Sequence, residues 1–283
     1  MIRVELVKML RRPRTWVTIA MLNALPTLVA VLLAVTDIGP RPGQGPPFLS
    51  AVLTDGTLFP LAALAIVLPL FMPVAVAVTA GDAVAGEAQG GTLRYVLTRP
   101  VGRTRLLVAK LISVLAFVAL AVVVVAVVGY VVGRLFLGEG DVQTVTGGAN
   151  GVRGVTGVTG VSGTSLSQTQ LLERTLMAIA YVALSMLSVA AVALLLSTFT
   201  DSPLGAALGA LAFLIASTLL LTLDAAHSLQ PYLPTRYWLS FVDLFRDPIL
   251  WRDVVRGVLL QGVYVLVFLA AAWANFTTRD IKS

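Results

Sequence analysis

Six long apolar runs divide the chain, and each is about as long as a helix that crosses a lipid bilayer. Such a helix needs about 20 residues to span the hydrocarbon core. The runs lack the alternation of barrel strands, and only helices or closed barrels satisfy their backbone hydrogen bonds in lipid. They lie at about 16–35, 58–80, 111–132, 176–196, 204–223 and 255–274. The pattern predicts an all-α polytopic membrane protein in which residues 1–283 form one domain.

The composition agrees with a membrane protein and reduces the number of transport mechanisms to consider. Hydrophobic residues make up 58% of the chain and charged residues 12%, against roughly 25% charged in soluble domains. The middle of each apolar run lacks ionisable residues, which usually mark proton or ion pathways in membranes. This disfavours a proton-driven pump and suits apolar or amphipathic cargo. Asn23 and Gln261 are the most polar side chains of the runs, and we expect interhelical hydrogen bonds from them more than a cargo site.

The residue types of catalytic and metal sites are scarce. The chain has no cysteine and one histidine, His227, so zinc, iron–sulfur and thiol chemistry lack ligands. It contains no P-loop motif for ATP phosphates. Asp82 and Glu87 lie five residues apart with no neighbouring group in sequence to tune them, which makes a catalytic pair improbable. We therefore expect a chain that is not an enzyme and holds no cofactor or metal.

The positions of Lys and Arg predict the orientation. Twelve of the twenty lie in short segments that are cytoplasmic if the N-terminus is inside, and the other eight are spread over longer loops. Because cytoplasmic loops carry the excess of Lys and Arg, both termini are predicted inside the cell membrane. The net charge of +6 fits an anionic membrane surface, and no basic stripe with aromatics calls for nucleic acid.

The N-terminal residues predict an amphipathic helix that lies along the inner membrane surface. Ile2, Leu6, Met9 and Leu10 recur at helical spacing among basic residues, and Pro13 is expected to end or kink the helix. We name residues 1–15 the elbow segment. A basic flank that only fixes topology is the alternative, and a cleaved signal peptide is disfavoured because the apolar run is too long.

Two outer loops differ in character. Residues 138–172 contain a Gly at every third position from 148 to 163, which predicts a flexible linker. Residues 224–254 are rich in aromatics, and Trp238, Phe241, Val242 and Phe245 recur as the stripe of a short helix. We expect an interfacial helical hairpin before the sixth span, with an anchoring aromatic belt as the alternative. Between spans four and five, Asp201 or Ser202 is expected to cap the helix that begins near Pro203.

The segment between spans two and three gives the most specific indication of function. Residues 81–110 hold Glu87 and five basic residues, and a helix-capable piece from Thr92 to Leu97 is stopped at Arg99 and Pro100. A short basic helix between two spans is suited to bind a soluble partner and to transmit its movement to the spans.

These residues resemble the cytoplasmic loop of type-2 ATP-binding-cassette (ABC) permeases, the membrane subunits of many bacterial ABC exporters. The resemblance covers most of the chain, including the elbow segment, the six spans and the outer hairpin. The residues that carry it are Glu87, Gly91, Thr92, Leu93, Arg94, Leu97, Pro100, Val101, Arg103 and Lys110. The long Gly-rich outer loop departs from the short connection usual in this family.

The resemblance implies a function and its partners. The Thr92–Leu97 piece would be a coupling helix seated on a separate ATPase subunit, Glu87 would tie its base to basic groups, and the elbow helix would abut the same subunit. Two ATPase copies would pair with two permeases, either two copies of this chain or this chain and a related one. The residues implied at these contacts are Glu87, Thr92, Leu93, Arg94, Tyr95, Leu97, Arg99, Pro100 and Arg103 in the coupling segment, and Glu5, Lys8, Arg11 and Arg12 in the elbow helix.

The expected activity is ATP-driven export of a drug, antibiotic, lipid or peptide across the cell membrane. The sequence leaves open the cargo, the permease pairing and the strict direction of transport. Two other classes also remain open: a secondary transporter or channel, and a membrane assembly subunit that moves nothing.

Overall fold

The computed structural model describes residues 2–36, 56–91, 102–138, 157–159 and 165–278. Within them, six helices are long and apolar enough to cross a membrane, so the prediction of a multi-pass helical membrane protein is confirmed. The described residues also contain one short antiparallel strand pair, in which Val158 lies opposite Leu166.

The helices and strands follow the six runs, mostly with longer bounds. The elements in chain order are α1 (Ile2–Arg11), α2 (Pro13–Thr36), α3 (Phe59–Val67), α4 (Phe71–Gln89), α5 (Arg103–Phe136), β1 (Gly157–Thr159), β2 (Ser165–Ser167), α6 (Gln168–Phe199), α7 (Pro203–Thr222) and α8 (Trp251–Thr278). Short 3₁₀ helices occupy Gly56–Leu58, Asp224–Ala226, Gln230–Tyr232 and Trp238–Phe245.

Local sequence explains several helix ends. α1 ends at Arg11 and α2 begins at Pro13, as predicted, because proline lacks an amide hydrogen and suits the first turn of a helix. Ser202 caps α7 by accepting a hydrogen bond from the Gly205 amide, which also confirms the sequence expectation. Ser167 and Gln170 form a capping box at the start of α6.

Two predicted boundaries were wrong. The second run is not one helix, because the chain breaks between α3 and α4 at residues 68–70. Pro69 and Pro73 lie at this break and cannot donate the backbone hydrogen bonds of a continuous helix. The expected loop at 138–172 is also too long, since the capping box starts α6 at Gln168. Of the repeating glycines in that loop only Gly157, in β1, lies among the described residues.

The interior of the bundle is built around α4 and α6. α6 packs against α4, α7 and α8, while α3 and α2 pack against α5. α3 and the 3₁₀ turn before it can lie close to α5 because Gly133 has no side chain; a Cβ there would collide with the Gly56 carbonyl and with Phe59. In contrast, α2, α7 and α8 expose most of their apolar surface, as expected for helices that face lipid or a further protein.

The segment before α8 differs in geometry from the helical hairpin that was expected. It is a series of 3₁₀ turns that ends in the eight-residue helix Trp238–Phe245. Trp238, Phe241 and Phe245 are buried against α6 and α8, so the predicted aromatic stripe does form one packed side. The prolines at 231 and 234 shorten each turn because they interrupt helical hydrogen bonding.

Candidate functional site

One end of the bundle gathers most of the charged side chains that lie between elements. We call it the elbow face, because it carries α1 with the end of α4 and the start of α5. The ends of α6 and α8 also reach it: Asn275 donates to the Thr198 carbonyl at 3.1 Å, and Arg103 donates to the Thr277 carbonyl at 3.0 Å. Both ends of the described chain therefore lie at one face, as an even number of crossings requires.

α1 is joined to α2 and α5 by hydrogen bonds to its backbone. The Thr15 hydroxyl donates to the Met9 carbonyl and the Trp16 indole to the Leu10 carbonyl, each at 2.8 Å. The Ser113 hydroxyl of α5 donates to the Glu5 carbonyl at 3.4 Å. Because the bonds to Met9 and Leu10 satisfy carbonyls that a helix end leaves without intrahelical donors, they fix the angle between α1 and α2.

Glu87 is the centre of the charged cluster. One carboxylate oxygen lies 2.9 Å from Lys8 Nζ of α1, and the other lies 2.9 Å from Lys110 Nζ of α5. The Lys110 side chain is only 2% exposed. Burial of a charge is costly unless it is paired, so this carboxylate holds three elements together at the point where the chain leaves α4.

Asp82, one and a half turns before Glu87 on α4, forms a second centre. Its Oδ2 lies 3.0 Å from Arg12 Nη1 and 3.6 Å from Arg14 Nη1. The two arginines flank Pro13 at the joint between α1 and α2. Two ionic contacts from α4 thus tie both sides of this joint.

A cavity of about 360 Å³ opens between these ion pairs. Its walls are α1, the start of α2, the end of α4 and the start of α5. Charged side chains of both signs line it: Glu5, Lys8, Arg12, Arg14, Asp82, Glu87 and Lys110. The cavity is therefore a polar chamber at the edge of an otherwise apolar bundle.

A buried hydroxyl links α4 to α6 at the turn of α4 next to this cluster. Ser197 Oγ donates to the Gly81 carbonyl at 2.6 Å and accepts from the Ala85 amide at 2.9 Å. This contact fixes the turn of α4 that carries Asp82. A movement of α4 at the elbow face would therefore be transmitted to α6, the most enclosed of the six candidate spans.

At the opposite face, hydrogen bonds hold residues 224–245, which we call the 3₁₀ segment, against the bundle. Tyr181 Oη donates to the Tyr237 carbonyl at 2.6 Å, and Gln261 Nε2 donates to the Pro234 carbonyl at 2.7 Å. At its surface, burial raises the pKa of the Asp243 carboxyl, and the Arg246 guanidinium 2.9 Å away opposes that rise. The segment is anchored to α6 and α8 rather than loosely attached.

The structure brings together part of the predicted site. Glu5, Lys8, Arg12 and Glu87 all line the cavity, whereas Arg11 is exposed on α1. Arg103 lies at the start of α5 and contacts the end of α8. The other predicted coupling residues lie outside the described residues: Thr92, Leu93, Arg94, Tyr95, Leu97, Arg99 and Pro100.

Sequence reasoning missed three members of the cluster and misjudged Asn23. Asp82 and Arg14 were not assigned to the site, and Lys110 was named only as part of the family resemblance, with no role. Two carboxylates at the end of one apolar run and basic residues beside two others were a visible signal. Asn23 donates to the Ile19 carbonyl of its own helix. The interhelical bond expected from it is therefore not formed among the described residues, while Gln261 does bond to another segment.

The chain belongs to the DUF2705 family, described as proteins of unknown function, whose family model matches residues 46–282. No curated protein matches it.

Proposed function

We propose that this member of the DUF2705 family is the membrane-spanning subunit of an ABC transporter. It would move a hydrophobic or amphipathic molecule out across the cell membrane. Energy would come from ATP hydrolysis on a separate nucleotide-binding subunit, present in two copies beside two permease subunits. The chain itself would carry no catalytic site, and its elbow face would lie in the cytoplasm.

The observation that carries the proposal is the contact of Glu87 with both Lys8 and Lys110, each at 2.9 Å. It joins the elbow helix to the two helices that enter and leave the 90–102 segment. A soluble partner that acted on this segment and on α1 would act on one connected unit, because the Glu87 carboxylate contacts both α1 and α5. The Lys110 pair is buried and costly to break, whereas the Lys8 side chain is 40% exposed.

The distribution of charge supports the same function. In α2, α5, α6, α7 and α8, the ionisable Asp, Glu, Lys and Arg side chains lie towards the helix ends, and in α4 Asp82 and Glu87 lie in the second half, where they pair with basic residues at the elbow face. Gradient-driven transporters use such groups near mid-membrane, so an external energy source is the simpler fit. The break at residues 68–70 does not favour an ion site either, since Pro69, Leu70 and Phe71 there are exposed.

The first experiment is purification of the tagged full-length chain from its native membranes in mild detergents, followed by mass spectrometry. A stoichiometric soluble protein with a P-loop is the expected companion. A chain that emerges alone in every detergent would contradict the proposal and favour gradient-driven transport or an assembly role.

A second experiment tests the contact surface. Tyr95→Glu with Leu97→Glu should abolish co-purification of the ATPase while membrane insertion is retained. Leu229→Glu is the matched control, since this exposed leucine lies in the 3₁₀ segment at the opposite face. Equal retention of the ATPase by both variants would refute the coupling surface.

A third experiment separates binding from coupling. Glu87→Gln should leave the ATPase bound but reduce transport-linked ATP hydrolysis in vesicles, because the elbow helix is no longer tied to α4 and α5. Normal transport by this variant would show that the cluster is not part of the linkage.

A further inference from the structure

The elbow helix leaves a mixed side exposed, with Val4, Val7 and Leu10 beside two basic residues, Arg3 and Arg11. Its other side, with Glu5, Lys8 and Met9, lines the cavity. Arg12 and Arg14, which also line the cavity, lie where the candidate membrane span α2 begins, and basic residues at the end of a span lie at the membrane interface. The cavity therefore lies at the depth of the lipid headgroups.

The cavity carries a surplus of positive charge. Its walls contain four cationic and three anionic side chains, so one positive charge remains after pairing. The surplus is greatest at Asp82, where one carboxylate faces both Arg12 and Arg14. An anionic group that entered there would be attracted, because one carboxylate neutralises only one of the two guanidinium groups.

The two arginines retain donors that Asp82 does not use. A guanidinium has five N–H donors, and each arginine contacts Asp82 through Nη1 alone. The side chains are 47% and 54% exposed, so they remain open to a further partner. The planar guanidinium fork matches the oxygen spacing of a phosphate group.

We propose that this cavity binds the phosphate of an anionic membrane phospholipid, with Arg12 and Arg14 as the phosphate-binding residues. The volume of about 360 Å³ exceeds that of one water molecule, ~30 Å³ in the liquid, by enough to admit a headgroup. The acyl chains would lie against the exposed apolar surface of α2, the candidate span whose first turns line the cavity. This site goes beyond the proposed transport function and does not depend on an ATPase.

The test uses the full-length chain, purified and delipidated in detergent. Native mass spectrometry with added phosphatidylglycerol or phosphatidylcholine measures how much of each lipid is retained. We expect a clear preference for phosphatidylglycerol in the wild type. The double variant Arg12→Gln/Arg14→Gln should weaken its retention about tenfold, because charge-assisted hydrogen bonds are lost.

Arg3→Gln/Arg11→Gln is the matched control, since it also removes two charges, at exposed positions of α1 outside the cavity. It should retain phosphatidylglycerol as the wild type does. Equal losses in the control and the double variant would overturn the site in favour of general surface attraction. An absence of preference between the two lipids would overturn it as well.

Two further arms keep the result decisive. If the double variant fails to fold, Arg14→Lys keeps the charge but loses the fork, and undiminished phosphatidylglycerol retention by it would refute Arg14 as a phosphate-binding residue. Inorganic phosphate is the soluble probe. If it raises the melting temperature as much as phosphatidylglycerol does, the lipid assignment is wrong.

Discussion

Glu87 and Lys110 face each other across the base of the 90–102 segment, with 2.9 Å between Oε2 and Nζ. Both residues are buried. Glu87 lies near the end of α4, and Lys110 lies near the start of α5. A strong attraction between buried charges holds the end of α4 and the start of α5 at a fixed separation. The 90–102 segment therefore connects two helix ends whose separation is fixed.

Removal of one charge from this pair should be costly. Glu87→Gln leaves the Lys110 ammonium buried without its counter-ion, and we expect a loss of about 3 kcal/mol in the free energy of unfolding. Thermal unfolding in detergent measures the effect. The double variant Glu87→Gln/Lys110→Met should recover part of the loss, and a double variant less stable than the single one would contradict this account.

The Ser197 hydroxyl should matter more than other buried serines of α6. Ser197→Ala removes the bonds to Gly81 and Ala85 of α4 and should cost about 1–2 kcal/mol, because polar backbone groups lose a partner. Ser185→Ala is the matched control, since Ser185 is equally buried but donates only to the Tyr181 carbonyl of its own helix. Equal melting temperatures for the two variants would show that the α4–α6 link is weak.

The glycine at position 257 is required by a close contact. A Cβ there would overlap Tyr181 Oη, which holds the 3₁₀ segment at the opposite face. Gly257→Ala should therefore lower the melting temperature, because overpacking costs about 1–3 kcal/mol. Gly262→Ala on the same helix meets open space and should raise it or leave it unchanged. The reverse order would contradict the observed packing.

The absence of cysteine from the sequence makes topology simple to measure. Single variants Gly90→Cys and Val155→Cys can be labelled with a membrane-impermeant maleimide in intact cells. We expect label only at position 155, with position 90 reacting after the cells are opened. The opposite pattern would reverse the predicted orientation and remove the cytoplasmic elbow face from the proposal.

The fold was largely predictable because each span needs about twenty consecutive apolar residues, which are visible in the sequence. Long apolar runs, Pro13 and Ser202 located the helices and two of their ends correctly. The failures occurred where local chemistry was subtle: the break near Pro69, the early start of α6 at Gln168, and the 3₁₀ geometry of Trp238–Phe245. The break and the 3₁₀ geometry follow from prolines that interrupt helical hydrogen bonding, and the start of α6 follows from its capping box; hydrophobicity alone encodes neither.

The candidate site was only partly predictable. Glu87, Lys8 and Arg12 were assigned through a family resemblance, and Asp82 was considered only as an improbable catalytic residue. Its partners, Arg12 and Arg14, lie about seventy positions earlier in the chain. No periodic pattern links residues so far apart, so only the packing of α1 against α5 and of α2 against α4 reveals the pairs.

The sequence by itself determined that this protein is a multi-pass helical membrane protein, because about twenty consecutive apolar residues have no other stable form in lipid. Tertiary structure alone decided which charges meet, which glycines are in close contact and where a cavity opens. These features arise from distances between helices, and in a membrane such distances are set by side-chain packing and buried polar contacts rather than by the hydrophobic effect that creates the spans.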